Sequence, residues 1–149
     1  MKVLHLISGG DTGGAKTHVH SLLAGLTPRI QVKMVCFTEG PFVEEARALG
    51  IDTQVFPGRN FFANLKQLTQ MVQDEGFDLI HSHGSRGNMM AAFLAKKTGL
   101  PTVSTVHSDY RLDYLGRPLS RLTYGTINTL ALRKLDYRIG VSDAMVDLL

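Results

Sequence analysis

Cysteine is nearly absent: Cys36 stands alone in 149 residues. No internal disulfide framework is available, and a reducing compartment is the expected setting. No apolar run approaches the roughly eighteen residues that a membrane span requires. The start, Met1-Lys2-Val3-Leu4-His5-Leu6-Ile7, is too short and too interrupted for a secretory signal, which points to the cytoplasm. Low-complexity tracts, internal repeats and Pro/Gly/Ser linkers are missing too, so residues 1–149 read as one domain. Charge of one sign is also scarce. Lys+Arg 16 against Asp+Glu 13 leaves +3, which calls for no nucleic-acid partner. What is present is 44% hydrophobic and 19% charged, a composition that builds a core and argues against disorder. The chain stops at Leu149 inside what reads as the opening of a helix, which suggests a cut rather than an end.

Two periodicities alternate along the sequence. β-rich runs cover Lys2–Ser8, Ile30–Thr38, Ile51–Phe56, Phe77–His83, Pro101–His107 and Asp136–Ser142. Several are almost continuously apolar, as strands covered on both faces should be. Between them, Ala15, Val19, Leu22, Leu23 and Leu26 recur at helical spacing, and so do Phe61, Leu65, Leu68 and Val72. Further helices are expected over Gly87–Thr98 and Pro118–Lys134, and a short one over Phe42–Leu49 with Pro41 in its first turn. Gly50, Gly76 and Gly99 are placed to stop the helices before them. Alternation of this kind predicts an α/β fold, a doubly wound parallel sheet in order 3-2-1-4-5-6. Ligands of such sheets bind beyond the carboxyl ends of the strands, at the switch point. Residues 9–14, 82–87 (with Ser85 and Arg86) and 107–116 should therefore share a crevice, while the opposite strand ends carry little polar chemistry.

The first of these connections, Ser8-Gly9-Gly10-Asp11-Thr12-Gly13-Gly14-Ala15-Lys16-Thr17, leads into a helix expected from about Ala15. Its glycines admit close approach, and the positive end of the helix dipole favours phosphate. It is not a P-loop, because Ala15 separates Gly14 from Lys16, and no G-x-G-x-x-G register fits. A ligand-free tight turn is the plainer reading. His81 and His83 fall on the same side of the fourth strand, where they begin a zinc site with His107 or Asp109, or simply pack at the crevice floor. No second closely spaced ligand pair accompanies them, which favours packing and no metal. His18 and His20 do not face each other and are expected to be half-exposed, with His18 near enough to the loop to reach a ligand. His107 ends the fifth strand, placed either to donate to a sugar, carbonyl or phosphate oxygen or to be a satisfied structural residue. A serine-hydrolase elbow, G-x-S-x-G, is absent. Arg111, Arg117, Arg121, Arg133, Lys134 and Arg138 against Asp113 and Asp136 give residues 111–138 a net +4. With Tyr110, Tyr114 and Leu115, that stretch is either a membrane-facing patch or a solvated face.

Four segments in order, Gly13-Gly14-Ala15-Lys16-Thr17-His18-Val19, Asp78-Leu79-Ile80-His81-Ser82-His83, Thr105-Val106-His107-Ser108 and Gly140-Val141-Ser142, resemble the amino-terminal half of family 4 glycosyltransferases. The resemblance implies a Rossmann-like three-layer α/β/α domain forming the acceptor side of a retaining enzyme of the GT-B fold, with the donor-binding carboxyl-terminal domain beyond Leu149. It implies a nucleotide-sugar donor, a sugar or lipid-linked acceptor, no cofactor and no metal. Gly13 and Gly14 would approach the donor diphosphate, and His107 would contact the donor sugar near the reacting centre. Lys16, His18, His83, Ser85, Arg86, Ser108, Asp109 and Ser142 would line the acceptor side of the cleft. Lys16 departs from the pattern, since many members carry Glu there. Alone, this half should be inactive, and a cytoplasmic location at the inner membrane face is expected. The rival reading is a non-catalytic α/β module binding a nucleotide or phosphorylated small molecule. Dinucleotide chemistry is weaker still, for want of the glycine fingerprint.

Overall fold

The computed structural model describes residues 1–10, 13–56, 60–107 and 126–148. They form β1 (Lys2–Ile7), α1 (Gly13–Leu26), β2 (Gln31–Cys36), α2 (Pro41–Ala48), β3 (Thr53–Val55), α3 (Phe61–Glu75), β4 (Leu79–His83), α4 (Gly84–Thr98), β5 (Thr102–Val106), α5 (Thr126–Arg133), β6 (Tyr137–Gly140) and α6 (Asp143–Leu148). The six strands make one parallel sheet in the order β3-β2-β1-β4-β5-β6. That is the order the alternating pattern predicts, with the switch point between β1 and β4.

Alternate strand residues point to opposite faces. Leu4, Leu6, Val35 and Ile80 pack with Leu65, Leu68 and Val72 of α3, Met90, Ala91 and Leu94 of α4 and Leu132 of α5. Ile7, Val32, Met34 and Cys36 face the other way, against Val19 and Leu23 of α1 and Phe42, Val43 and Ala46 of α2. The result is three layers. Asn60 caps α3 by accepting from the Ala63 amide (3.1 Å), and Gly76 and Gly99 close α3 and α4 in the left-handed conformation.

Several boundaries differ from expectation. Each strand is shorter than its β-rich run at one or both ends, where polar residues such as Ser8, Thr38, Asp78, His107 and Ser142 fall in the connections. The helix expected from Gly87 begins at Gly84, whose positive φ of 74° turns β4 into α4 with no loop between them. Likewise α1 starts at Gly13. Only Thr126–Arg133 of the helix expected over Pro118–Lys134 lies among the described residues.

The α4 side of the switch point holds a buried polar network. Asn88 Oδ1 accepts from the hydroxyls of Ser82 (2.7 Å) and Ser104 (2.6 Å), while its Nδ2 donates to Asn128 Oδ1 (3.1 Å). One carboxamide thus joins β4, β5, α4 and α5. Beside it, Gly87 lets α4 lie directly on β1, since a Cβ there would come within 2.5 Å of the Leu6 carbonyl oxygen. Asn88→Ala is expected to destabilise the fold by about 3 kcal/mol. It strands the Ser104 hydroxyl and the Asn128 side-chain carbonyl, leaves Ser82, among the described residues, only a long bond to the Val103 carbonyl (3.4 Å) and opens a cavity. Urea unfolding checks this; a loss under about 1 kcal/mol would show that the hydroxyls find other partners.

The amino edge of the sheet is more polar than expected. Lys33 Nζ (2.9 Å) and Lys2 Nζ (3.4 Å) flank the Glu75 carboxylate, chiefly through the Lys33 hydrogen bond, and hold its pKa below the ordinary value. Asp136 accepts from the Thr102 amide (2.8 Å). These groups pair with one another and serve the sheet ends.

Candidate functional site

On the α1 side of the sheet, the strands around the switch point carry imidazoles where a core would carry aliphatic residues. His5 of β1 pairs in register with His81 of β4, and His83 pairs with Thr105 of β5. All four point away from the Leu4–Leu6 face, by the parity of their strands. His5, His81 and His83 are buried, while His107, just past β5, is half-buried. Their rings lie in series. His5 Nδ1 is 3.1 Å from His83 Nε2, and His83 Nδ1 is 3.3 Å from His107 Nε2. His81 stacks on His83 with centroids 4.4 Å apart, and its Nε2 bonds Thr105 Oγ1 at 2.7 Å. His18, exposed on α1, sets its ring edgewise to His107 at 4.9 Å.

Burial keeps these rings neutral. It is the leading cause that holds His5 and His83 well below 6.5, with their histidine neighbours adding to it. His81 is brought down to about 4, again chiefly by burial. His107 is lowered too, by partial burial and then by His18. A neutral imidazole offers one N–H and one lone pair, the equipment for hydrogen bonding rather than for fixed charge.

Each of His5, His81 and His83 can offer a ring nitrogen, all within 4.8 Å of one another. Coordination, however, requires the ion to lie in the plane of each ring. His81 and His83 are stacked with planes 15° apart, so as placed they share no ion, and the nitrogens are turned to neighbouring rings and to Thr105.

The sequence-predicted residues meet different fates. Gly13 and Gly14 form the first turn of α1 at the carboxyl edge, exposed, with open space where a Cβ would stand. Backbone amides at a helix start, one turn from His18, suit an anion. Lys16 reaches Glu45 of α2 (3.0 Å), and Arg86 lies over the Phe37 ring with Nη1 3.4 Å from Thr38 Oγ1. Ser85 is half-buried in the first turn of α4. Ser142 caps α6, its Oγ accepting from the Met145 amide (3.3 Å). Ser108, Asp109 and most of residues 111–138 lie outside the described residues. His20 is not half-exposed: it is buried, its Nε2–H donating to the Phe42 carbonyl (3.1 Å), because α2 packs over that turn of α1. His5 and Asn88 were not anticipated. The one signal for His5 is a polar residue at the centre of the apolar run Leu4-His5-Leu6, and a lone strand histidine ordinarily reads as core.

A family model described as Glycosyltransferase Family 4 matches residues 12–149. No curated protein sequence matches the chain. Among solved structures, Anabaena Alr3699/HepE in complex with UDP and glucose aligns with a TM-score of 0.73 at 23% identity, covering 97% of this chain and 39% of that one. The lipopolysaccharide outer core galactosyltransferase WaaB, in its apo form, aligns at 0.71 and 16% identity over 99% of this chain and 41% of its own. Acinetobacter baumannii MurG aligns at 0.70 and 11% identity, covering 97% and 42%. At such identities the likeness is one of fold. This chain spans about two-fifths of the length of each of the three.

Proposed function

Because the chain belongs to Glycosyltransferase Family 4, we propose that it is the acceptor-side half of a retaining glycosyltransferase that moves a sugar from a nucleotide-sugar to a sugar or lipid-linked acceptor. The observation that carries this reading is the contact, at one sheet edge, between His18, one turn into α1 from the exposed Gly13 and Gly14, and the half-buried His107. Breaking a glycosyl–phosphate bond builds negative charge on the departing diphosphate. Preorganised N–H donors in a partly desolvated site stabilise such charge. The Gly13 and Gly14 amides are suited to the diphosphate, and His107 to an oxygen nearer the reacting carbon. His18, whose ring touches His107, stands at the rim for the acceptor.

Among the described residues, the stacked rings of His81 and His83 are not turned toward a shared ion, and the reaction is expected to need neither metal nor cofactor from this half. The remaining donor contacts belong to a second domain. A peripheral contact with an anionic membrane through residues 111–138 is part of the proposal, supported by Arg133, Lys134 and Arg138, all exposed. Among the described residues no helix is long and apolar enough to cross a membrane. Action at the inner face of the cytoplasmic membrane fits both.

Expressing the parent gene in full beside a chain ending at Leu149 tests the reading. Sugar transfer in the presence of EDTA is expected from the first and none above background from the second. Transfer by the short chain would overturn the half-site proposal. A parent gene that stops at codon 149, with tight binding of a nucleotide but no transfer, would favour the non-catalytic module.

A further inference from the structure

One nitrogen decides the direction of the hydrogen bonds in the histidine series. His83 uses both of its ring nitrogens, Nε2 toward His5 Nδ1 and Nδ1 toward His107 Nε2. A neutral imidazole carries a single N–H, so only two arrangements exist. With the bonds running inward, His107 Nε2–H donates to His83 Nδ1, and His83 Nε2–H donates to His5 Nδ1. The proton of His5 must then sit on Nε2, the buried side-chain nitrogen that has no hydrogen-bond partner among the described residues. With the bonds running outward, His5 Nδ1–H donates to His83 Nε2, and His83 Nδ1–H donates to His107 Nε2. His5 Nε2 then holds only a lone pair. A stranded buried N–H is the rarer defect in folded proteins, since an acceptor tolerates incomplete satisfaction better than a donor does. The outward direction wins.

We propose that His5 and His83 are positioning residues, which fix His107 in its Nδ1–H tautomer so that it meets the substrate as a hydrogen-bond donor and not as a base. The tautomer of a histidine is set by the bond its other nitrogen makes, and here that bond is specified two residues deep into the sheet. The role rests on the transferase reading for its substrate but on the file of rings alone for its direction. Neutrality, which the argument needs, is supplied by burial of His5 and His83. His81 supports the file by stacking on His83 and anchoring itself to Thr105, and takes no place in it.

The test uses full-length protein labelled with 15N-histidine. Long-range 1H–15N spectra at neutral pH separate the two tautomers and need no activity. His107 and His5 are both expected as Nδ1–H. In His5→Leu, which removes the inner bond, His107 should become a mixture of tautomers, and kcat should fall about tenfold with KM nearly unchanged. His107→Asn, whose amide nitrogen stands near the Nδ1 position, should retain several-fold more kcat than His107→Gln, whose amide reaches the Nε2 position. Nε2–H on wild-type His107, or an unchanged tautomer in His5→Leu, would overturn the proposal. If His5→Leu does not fold, the wild-type spectrum and the Asn/Gln pair still decide it. Expected tautomers in a protein that transfers no sugar would uphold the file and reject the transferase reading.

Discussion

Between pH 7 and pH 5 the folded chain is expected to lose stability, by about 2 kcal/mol through His81 alone, with His5 and His83 acting in the same direction. His5, His81 and His83 are buried and neutral, and their folded pKa values lie below 6.5, with His81 at about 4. The unfolded chain takes up protons on all three as pH falls through 6.5, while the folded chain does not. Their stabilising effect is therefore complete above 6.5 and is lost going down, for His81 over the window from 6.5 to about 4. An imidazole that stays neutral in the fold to about pH 4, as His81 does, costs about 2 kcal/mol at pH 5, a slope approaching about 1.4 kcal/mol per pH unit. Domains of this size commonly have only about 5–15 kcal/mol in total, so the loss is a measurable share of the whole. Urea unfolding at pH 7, 6 and 5 measures the slope. His81→Asn should reduce it by about one proton, and stability that stays flat down to pH 5 would mean the rings are protonated inside the fold.

On the proposed transferase reading, His107→Ala in the full-length protein is expected to lower kcat by about 10²–10³, the loss seen when one preorganised donor is removed from a charge-developing site. The side chain is only half-buried and, among the described residues, bonds His83 through Nε2, so truncation removes a group from the crevice with little damage to the core. Stability measured alongside should therefore change by about 1 kcal/mol or less. His20→Ala is the contrasting case. It deletes a buried ring stacked on Phe42 and bonded to its carbonyl, so it should lower stability and leave the kcat of the folded fraction near normal. Turnover within about threefold of wild type in His107→Ala would remove that residue from the reaction.

Sheet order, the switch point and the helix stops at Gly76 and Gly99 were legible because they follow from local periodicity and turn chemistry. The convergence of His83 and His107 was legible for the same reason, since both end strands that the topology makes neighbours. His5 was not. Its importance comes from lying in register with His81 across β1 and β4, a pairing between residues 76 apart that no local pattern records. Asn88 was hidden similarly, as one polar residue on a helix whose partners, Ser82, Ser104 and Asn128, come from three other elements. His20 looked solvent-facing on α1 alone, and only the packing of α2 buries it. Polar residues are read poorly from a single sequence because their meaning depends on which distant group satisfies them.

The alternation of β4 has a consequence for how the sheet assembles. His81 and His83 answer to imidazoles and Thr105 on one side, and Ser82 answers to Asn88 on the other. An apolar central strand can slide by two residues and still bury grease against grease. Here a slide by two replaces Ser82 with Ile80 and His81 with Leu79, or Ser82 with Gly84 and His83 with Ser85, and a slide by one exchanges ring and hydroxyl outright. The strand at the middle of the fold thus carries a two-sided key. Misaligned pairings lose hydrogen bonds as well as packing, and the edge where substrate would meet His107 is cut at one defined height.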